Sequence, residues 1–285
     1  MKAKEQSWLR LVMSRLWQHK LAIAGLVIIS LFLITAAAAP VIAPHNPYAH
    51  DVPNRLAAPS WDYPLGRDEV GRCILSRIIY GTRISLLIGS IVISIGLAVG
   101  TPLGLVSAYY GGKVDFLIQR IVDIMLAFPA LLLALMLVAL LGRGLSNVMI
   151  AVGITVIPIY ARLVRGSVLS VKEEQFVEAA GAIGGSDSRI MFRHILPNCL
   201  APLIIQSTLH MATAILWAAG LGFLGMGVSP PTPEWGVMLG DGRVFLRVAP
   251  HVATFPGLAI FIAVLGFNLL GDGLRDALDP RLYQR

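Results

Sequence analysis

Residues 21–43 read LAIAGLVIISLFLITAAAAPVIA, from Leu21 to Ala43 without one Asp, Glu, Lys or Arg. A helix rises 1.5 Å per residue, so this stretch is ~35 Å long, and about 20 apolar residues suffice to cross the hydrocarbon core of a bilayer. Lipid offers the backbone no hydrogen bonds, so a stretch of this kind is read as a helix that satisfies its own. Five more segments lack those four residue types: 84–112, 124–142, 144–161, 194–233 and 248–271. The run 194–233 is long enough for two spans, but its end, GFLGMGVSPPTP, reads as a Gly/Pro loop. The expectation is an all-α integral membrane protein with six transmembrane helices, at 21–43, 84–107, 121–142, 145–168, 199–223 and 251–272. They lie in a membrane domain, 21–272, between a basic segment, 1–20, and a tail, 273–285.

Composition agrees. The 285 residues are 56% hydrophobic and only 14% charged, against about 25% charged in soluble domains. Mean hydropathy is +0.75. The first span follows a basic leader and is too long for a signal-peptide core, so it is read as retained, with Ala36 to Ala39 mimicking a cleavage site. In the leader, Lys2, Lys4, Arg10, Arg15 and Lys20 accompany Trp8, Leu11, Val12 and Leu16. That pattern fits an amphipathic helix on the membrane surface and equally a charged anchor that sets topology. With the N-terminus inside, the inner segments 1–20, 107–120, 162–197 and 273–285 hold 15 of the 23 Lys and Arg. Both termini are therefore expected on the cytoplasmic side. The net charge of +7 is a topology signal, since no aromatics interleave with a basic groove to suggest nucleic acid. Cys73 and Cys199 lie far apart, with no metal spacing and no disulfide framework.

The outer loop 44–68, with five prolines, is expected to be ordered but irregular. Beyond it Val70, Ile74 and Ile78, with Arg67, Arg72 and Arg77, fit a helix at the outer interface. That segment serves either as contact for a delivery protein or as a structural elbow. Gly96, Gly100 and Gly104 form a GxxxGxxxG packing face, for another helix or for a second subunit. Pro102, Pro129, Pro158 and Pro256 fall within spans, as static kinks or as hinges. Arg162 and Arg165, at i and i+3 on the inner end of span four, are expected to snorkel to lipid phosphates, the alternative being a cytoplasmic partner. Span five carries His210 with Thr213 and Trp217, either lining a pathway or packed as a neutral histidine between helices. GLGFLG, 220–225, matches a nucleotide fingerprint only formally, because no strand precedes it. The stretch VSPPTPEWGVMLGDGRVF reads as the second outer loop, and at the C-terminus Asp272, Asp276 and Asp279 alternate with Arg275 and Arg281.

The longest polar interruption in the second half is EEQFVEAAGAIGGSDSRIMFRHILPNCLAP, Glu173 to Pro202. Phe176, Val177, Ala180 and Ile183 give one apolar helical face, and Gly184-Gly185 ends the helix. Ser186 can cap a second helix, in which Ile190, Met191, His194 and Ile195 recur, before Pro197 and Pro202 reset the backbone. Such a hairpin lies on the lipid surface or docks on a partner.

Glu178-Ala179-Ala180, then Gly184, then Leu196-Pro197 resembles the EAA loop of membrane subunits of ATP-binding-cassette importers. Where the common pattern has Ile two residues before Leu-Pro, this chain has His194, with Ile195 next. The segments GRDEVGRCILSRIIYGTRISL, LGFLGMGVSPPTPEWGVML and FPGLAIFIAVLGFNLLGDGLRDALDPRL extend the likeness, from about Gln18 to the C-terminus, to the C-type permease of dipeptide and oligopeptide importers, within the peptide/nickel family. The resemblance implies a type I importer bundle in a bacterial or archaeal cell membrane. It implies a second permease subunit, two cytoplasmic ATPases that carry ATP and Mg, and an extracytoplasmic binding protein. It makes the 173–197 loop the coupling helix, with Glu178, Ala179, Ala180, Gly184, Ser186, Ile190, His194, Leu196 and Pro197 as its site residues. Dipeptides, oligopeptides, nickel and glutathione all occur as substrates in that family. The chain has no GxxxxGK[ST] phosphate loop, so no catalytic residue, metal or cofactor is expected in it, and ATP acts on a partner. The rival classes are an ion-coupled secondary transporter, against which stands the lack of a central Asp or Glu in the spans, and an intramembrane hydrolase, for which HExxH and GxSxG are missing.

Overall fold

A computed structural model describes residues 16–278 except Gln18. The amphipathic-leader expectation, 1–15, and the tail beyond Leu278 lie outside the described residues. Nine helices are named here in chain order. They are α1 (Lys20–Ile42), α2 (Ile74–Tyr110), α3 (Gly112–Ala127), α4 (Ala130–Leu141), α5 (Leu145–Lys172), α6 (Gln175–Ala182), α7 (Asp187–Phe223), α8 (Trp235–Gly242) and α9 (His251–Leu278). Among the described residues, α1, α2, α5, α7 and α9 are each long and apolar enough to span, and the pair α3–α4 makes a sixth span if counted as one.

That sixth span is not a straight helix. α3 and α4 meet at 90°. Pro129 has no N–H to continue the ladder, and it biases its predecessor away from helical backbone; Phe128 is extended, at φ −88° and ψ 136°. A smaller disturbance occurs in α2, where Gly96–Gly100 forms a π-turn just before Pro102. There the ladder widens next to a residue that cannot donate.

The GxxxGxxxG face of α2 packs inside this chain, against α5. A Cβ on Gly96 would lie 2.8 Å from the Tyr160 ring, on Gly100 2.6 Å from the Ile157 carbonyl oxygen, and on Gly104 2.3 Å from the Ala161 carbonyl oxygen. Missing side chains thus let two backbones touch. α1 and α9 use the same device. A Cβ on Gly25 would stand 2.6 Å from the Leu270 nitrogen, and one on Gly273 2.2 Å from the Ala22 Cβ. One apolar cluster fills the space between α2, α4, α5 and α7, with Ile88, Val92, Val138, Val156, Tyr160 and Leu221 buried in it. A second joins α1, α9 and Trp235, whose ring lies 5.6 Å from that of Phe32.

Outside the spans the structure corrects two expectations. Residues 67–73 are not an interfacial helix but a turn closed by an Arg67–Cys73 bridge, and α2 runs unbroken from Ile74 into the second span. The arginines are occupied there: Arg67 pairs with Asp51, while Arg72 holds Asp68 at 2.6 Å and Glu69 at 2.7 Å. The second outer loop contains a helix, α8. Glu234 caps it with both oxygens, accepting from the Gly236 and Val237 N–H groups at 2.8 Å each. The Trp235 indole N–H donates to the Ile78 carbonyl at 3.1 Å and ties α8 to α2.

Two predictions follow from this packing. Gly104→Ala forces α2 off α5 and is expected to cost about 1–3 kcal/mol. Gly220→Ala, where the nearest atom would be a Leu131 methyl at 3.6 Å, is expected to be neutral or stabilising by up to about 1 kcal/mol. Thermal unfolding in detergent compares the two. The second concerns Glu234. Burial pushes its carboxyl from the usual 4.5 up to about 7, against the pull of the two N–H groups. Folding therefore favours the protonated form, and this contribution is full below 4.5 and fades as pH rises through about 7. The melting temperature of the wild type relative to Glu234→Gln is expected to fall between about pH 5 and pH 8; an unchanged difference would refute the assignment.

Candidate coupling site

α6 begins at Gln175 after Glu174, and Glu178 in its first turn complements the positive end of the helix. Its apolar face is divided. Val177 and Ala180 are buried in the cluster that also holds Ile190, Met191, Ile195, Val164 and Val168. Phe176 and Ile183 point away, 43% and 88% exposed, and Phe192 across the turn is 56% exposed. The Ala179-Ala180 pair is likewise split, one exposed and one buried. Burial of one half anchors the hairpin to α5, and the other half is an apolar tip with no partner among the described residues.

The turn is a Schellman ending. Gly184 N–H donates to the Gly181 carbonyl and Gly185 N–H to the Ala180 carbonyl, both at 3.0 Å. Gly184 lies at φ +81°, in the left-handed region that a side chain resists, yet its Cβ direction is open. The constraint at Gly184 is therefore conformational and not steric. Gly185 is the crowded one, since a Cβ there would stand 2.7 Å from the Ala180 oxygen.

Ser186 occupies the N-cap position of α7, but its side chain makes no capping bond. Its carbonyl accepts from Ile190 N–H at 2.9 Å. Pro197 does not end the second helix. It sits in the first turn of a 3₁₀ stretch, Leu196–Cys199, where a missing N–H is tolerated, and the helix passes from Asp187 to Phe223. The hairpin's second arm is thus the N-terminal end of span five. Ile190 is buried, His194 and Leu196 are half-buried and Pro197 is exposed; the His194 carbonyl accepts from the Asn198 amide at 2.7 Å.

Arg162 and Arg165 do not snorkel to lipid. Arg165 grips Asp115 of α3 with two bonds of 2.7 Å, and Arg162 pairs with Asp123 of the same helix. The carboxylates of α3 lie alongside and satisfy them better than distant phosphates. Tyr109 at the end of α2 donates to Asp187 at 2.9 Å. Higher in the bundle, His210 is 7% exposed and its ring lies 5.8 Å from that of Tyr160, whose hydroxyl bonds Ser207 at 3.0 Å. Thr213 and Trp217 are half-buried on the same helix, α7. Sequence reasoning passed over Asp115, Asp123, Tyr109 and Asp187 as partners, and also the Glu234 cap. A Glu just before the apolar run WGVML was the one local signal for the last.

Residues 100–284 match the family model described as binding-protein-dependent transport system inner membrane component, and residues 7–59 match the N-terminal TM domain of oligopeptide transport permease C. The chain is 52% identical over 269 residues to the dipeptide transport system permease protein DppC of Alkalihalophilus pseudofirmus, covering 94% of this chain and 88% of that one. It is 49% identical over 266 residues to the glutathione transport system permease protein GsiD of Escherichia coli O157:H7, covering 93% and 88%. Among solved structures, the MetNI methionine ABC transporter in an inward-facing conformation superposes with a TM-score of 0.59 at 19% identity, over 71% of this chain and 97% of that chain, and shows the fold. The chain belongs to the binding-protein-dependent transport inner-membrane family and is a multi-pass permease with the type I ATP-binding-cassette importer fold.

Proposed function

We propose that this chain is one permease subunit of an ATP-driven importer of dipeptides and oligopeptides, coupled to two partner ATPases through α6 and the turn that follows it. The observation that carries this is the apolar tip, Phe176, Ile183 and Phe192, exposed among the described residues on a hairpin continuous with a span. Apolar side chains left bare on a polar loop fit a hydrophobic groove on a cytoplasmic partner. The names of the dipeptide and glutathione permeases support a short peptide as substrate, with glutathione or nickel as alternatives. A second homologous permease completes the pathway, an extracytoplasmic binding protein delivers the substrate, and ATP and Mg reside on the ATPases. The Lys/Arg distribution supports cytoplasmic termini in a bacterial or archaeal membrane.

In this mechanism the ATPases bind the hairpin in two arrangements, and the difference in affinity shifts the bundle between them. Glu178, Ala179 and Ala180 shape α6; Gly184 and Ser186 form the turn. Ile190, His194, Leu196 and Pro197 lie in the first turns of α7 itself, so displacement at the tip reaches His210, Thr213 and Trp217, which we assign to the pathway, through one helix. A secondary transporter predicts uptake driven by an ion gradient without ATP.

The test is reconstitution of the complete complex in vesicles with labelled dipeptide. Ile183→Asp is expected to weaken ATPase retention at least about tenfold, equivalent to ~1.4 kcal/mol. Gly184→Val strains the left-handed turn by about 1–2 kcal/mol and is expected to leave the chain in the membrane while uptake is lost. Normal ATP-driven uptake by both variants would refute the coupling role of the hairpin.

A further inference from the structure

α3 buries little apolar surface against the bundle. Val122 is its one buried residue, and Phe116, Leu117, Ile121 and Ile124 are each more than half exposed. Its attachment is by charge. Arg165 forks onto Asp115, with both bonds at 2.7 Å, and Ser107 of α2 donates to the same carboxylate while accepting from Gln119 at 2.9 Å. Eight residues along, Asp123 pairs with Arg162. Both arginines stand on α5.

The inner end of α2 ties this assembly to the hairpin. Tyr109 donates through its hydroxyl to Asp187, the first residue of α7, at 2.9 Å, and its carbonyl accepts from Lys172, the last residue of α5, at 2.7 Å. Just beyond, Gly111 and Gly112 lie at φ +63° and +52° with open space around them, and there the chain turns into α3. At its far end α3 reaches the extended Phe128 and the 90° break before α4. α4 buries Ala134 and Val138 in the main cluster. So α3 is a helical arm bounded by the open Gly111-Gly112 turn at one end and the Phe128-Pro129 bend at the other, paired with α5 through two ion pairs and linked through Tyr109 to the start of α7.

We propose that Tyr109 and the Asp115–Arg165 and Asp123–Arg162 pairs are positioning residues for transport, which make α3 move with α5 and the hairpin as one arm about the Phe128-Pro129 bend. This rests on the coupling role assigned to the hairpin above. Forked and paired charges restrict orientation as well as distance. An arm gripped in this way follows the helix that grips it, whereas one packed only by exposed Phe, Leu and Ile could slide in lipid.

The test uses the whole complex in vesicles and reads two rates, ATP hydrolysis and labelled dipeptide uptake, as their ratio. Asp123→Arg and Arg162→Asp, at positions about half exposed, are each expected to lower uptake per ATP about tenfold, a coupling loss of ~1.4 kcal/mol. The double reversal is expected to restore the ratio to within about threefold. Tyr109→Phe, which removes one hydroxyl and keeps the ring, is expected to lower the ratio severalfold, and it serves if the reversals do not assemble. Loss of complex with an unchanged ratio in what remains would mean a merely structural role and would overturn the proposal. So would an unrestored double variant. Absence of ATP-driven uptake by the wild-type complex would sink the importer reading first, and this proposal with it.

Discussion

Close contact between α2 and α5 is the constraint on which the rest of the bundle depends. Three glycines on one stripe of α2 present bare backbone to Tyr160, Ala161 and Val164, and a single added carbon at Gly104 would lie 2.3 Å from a carbonyl oxygen. In lipid there is no hydrophobic force to press two apolar helices together, so shape has to supply the attraction. Once α2 is seated, its last turn puts Ser107 and Tyr109 beside Arg165, Lys172 and Asp187. The polar network at the inner end exists because the glycine stripe fixes the register above it.

The charged groups divide by environment. In the turn before α2 Arg72 is nearly enclosed and holds two carboxylates, so its neighbours could not lose it without leaving buried charge behind. Between α3 and α5 Arg162 and Asp123 are about half exposed, where a pair contributes little to stability. Weak pairs of that sort are poor anchors for a fold. They suit contacts that orient a helix, and on α3 this pair acts beside the more enclosed fork of Arg165 on Asp115.

Two local facts set the shape of the hairpin. The Schellman turn at Gly184-Gly185 reverses the chain within three residues, and the helix after it continues through Pro197 into the membrane. A flexible joint at Pro197 would dissipate movement of the tip. Instead the chain passes Pro197 in a 3₁₀ turn that follows a π-helical stretch, Ile190–Ile195, so the missing N–H is met by altered helical geometry and not by a break.

Apolar runs, the glycine stripe, the Gly184-Gly185 ending and the EAA pattern were all legible in the sequence. Each depends on residues adjacent or one turn apart, and the transfer of apolar residues into lipid is nearly independent of their neighbours. The likeness over most of the chain carried the family in the same way. Tertiary structure alone decided which glycine was crowded and which was strained, that the stripe faces α5, and that Ile183 stays bare while Ala180 is buried. It also decided where the arginines go. Arg165 and Asp115 stand 50 positions apart, and Tyr109 and Asp187 stand 78 apart. Snorkelling was a sound expectation for an isolated helix end, because lipid phosphate is then the nearest anion. A carboxylate on the adjacent helix is nearer still, and no local pattern reports which helix will be adjacent.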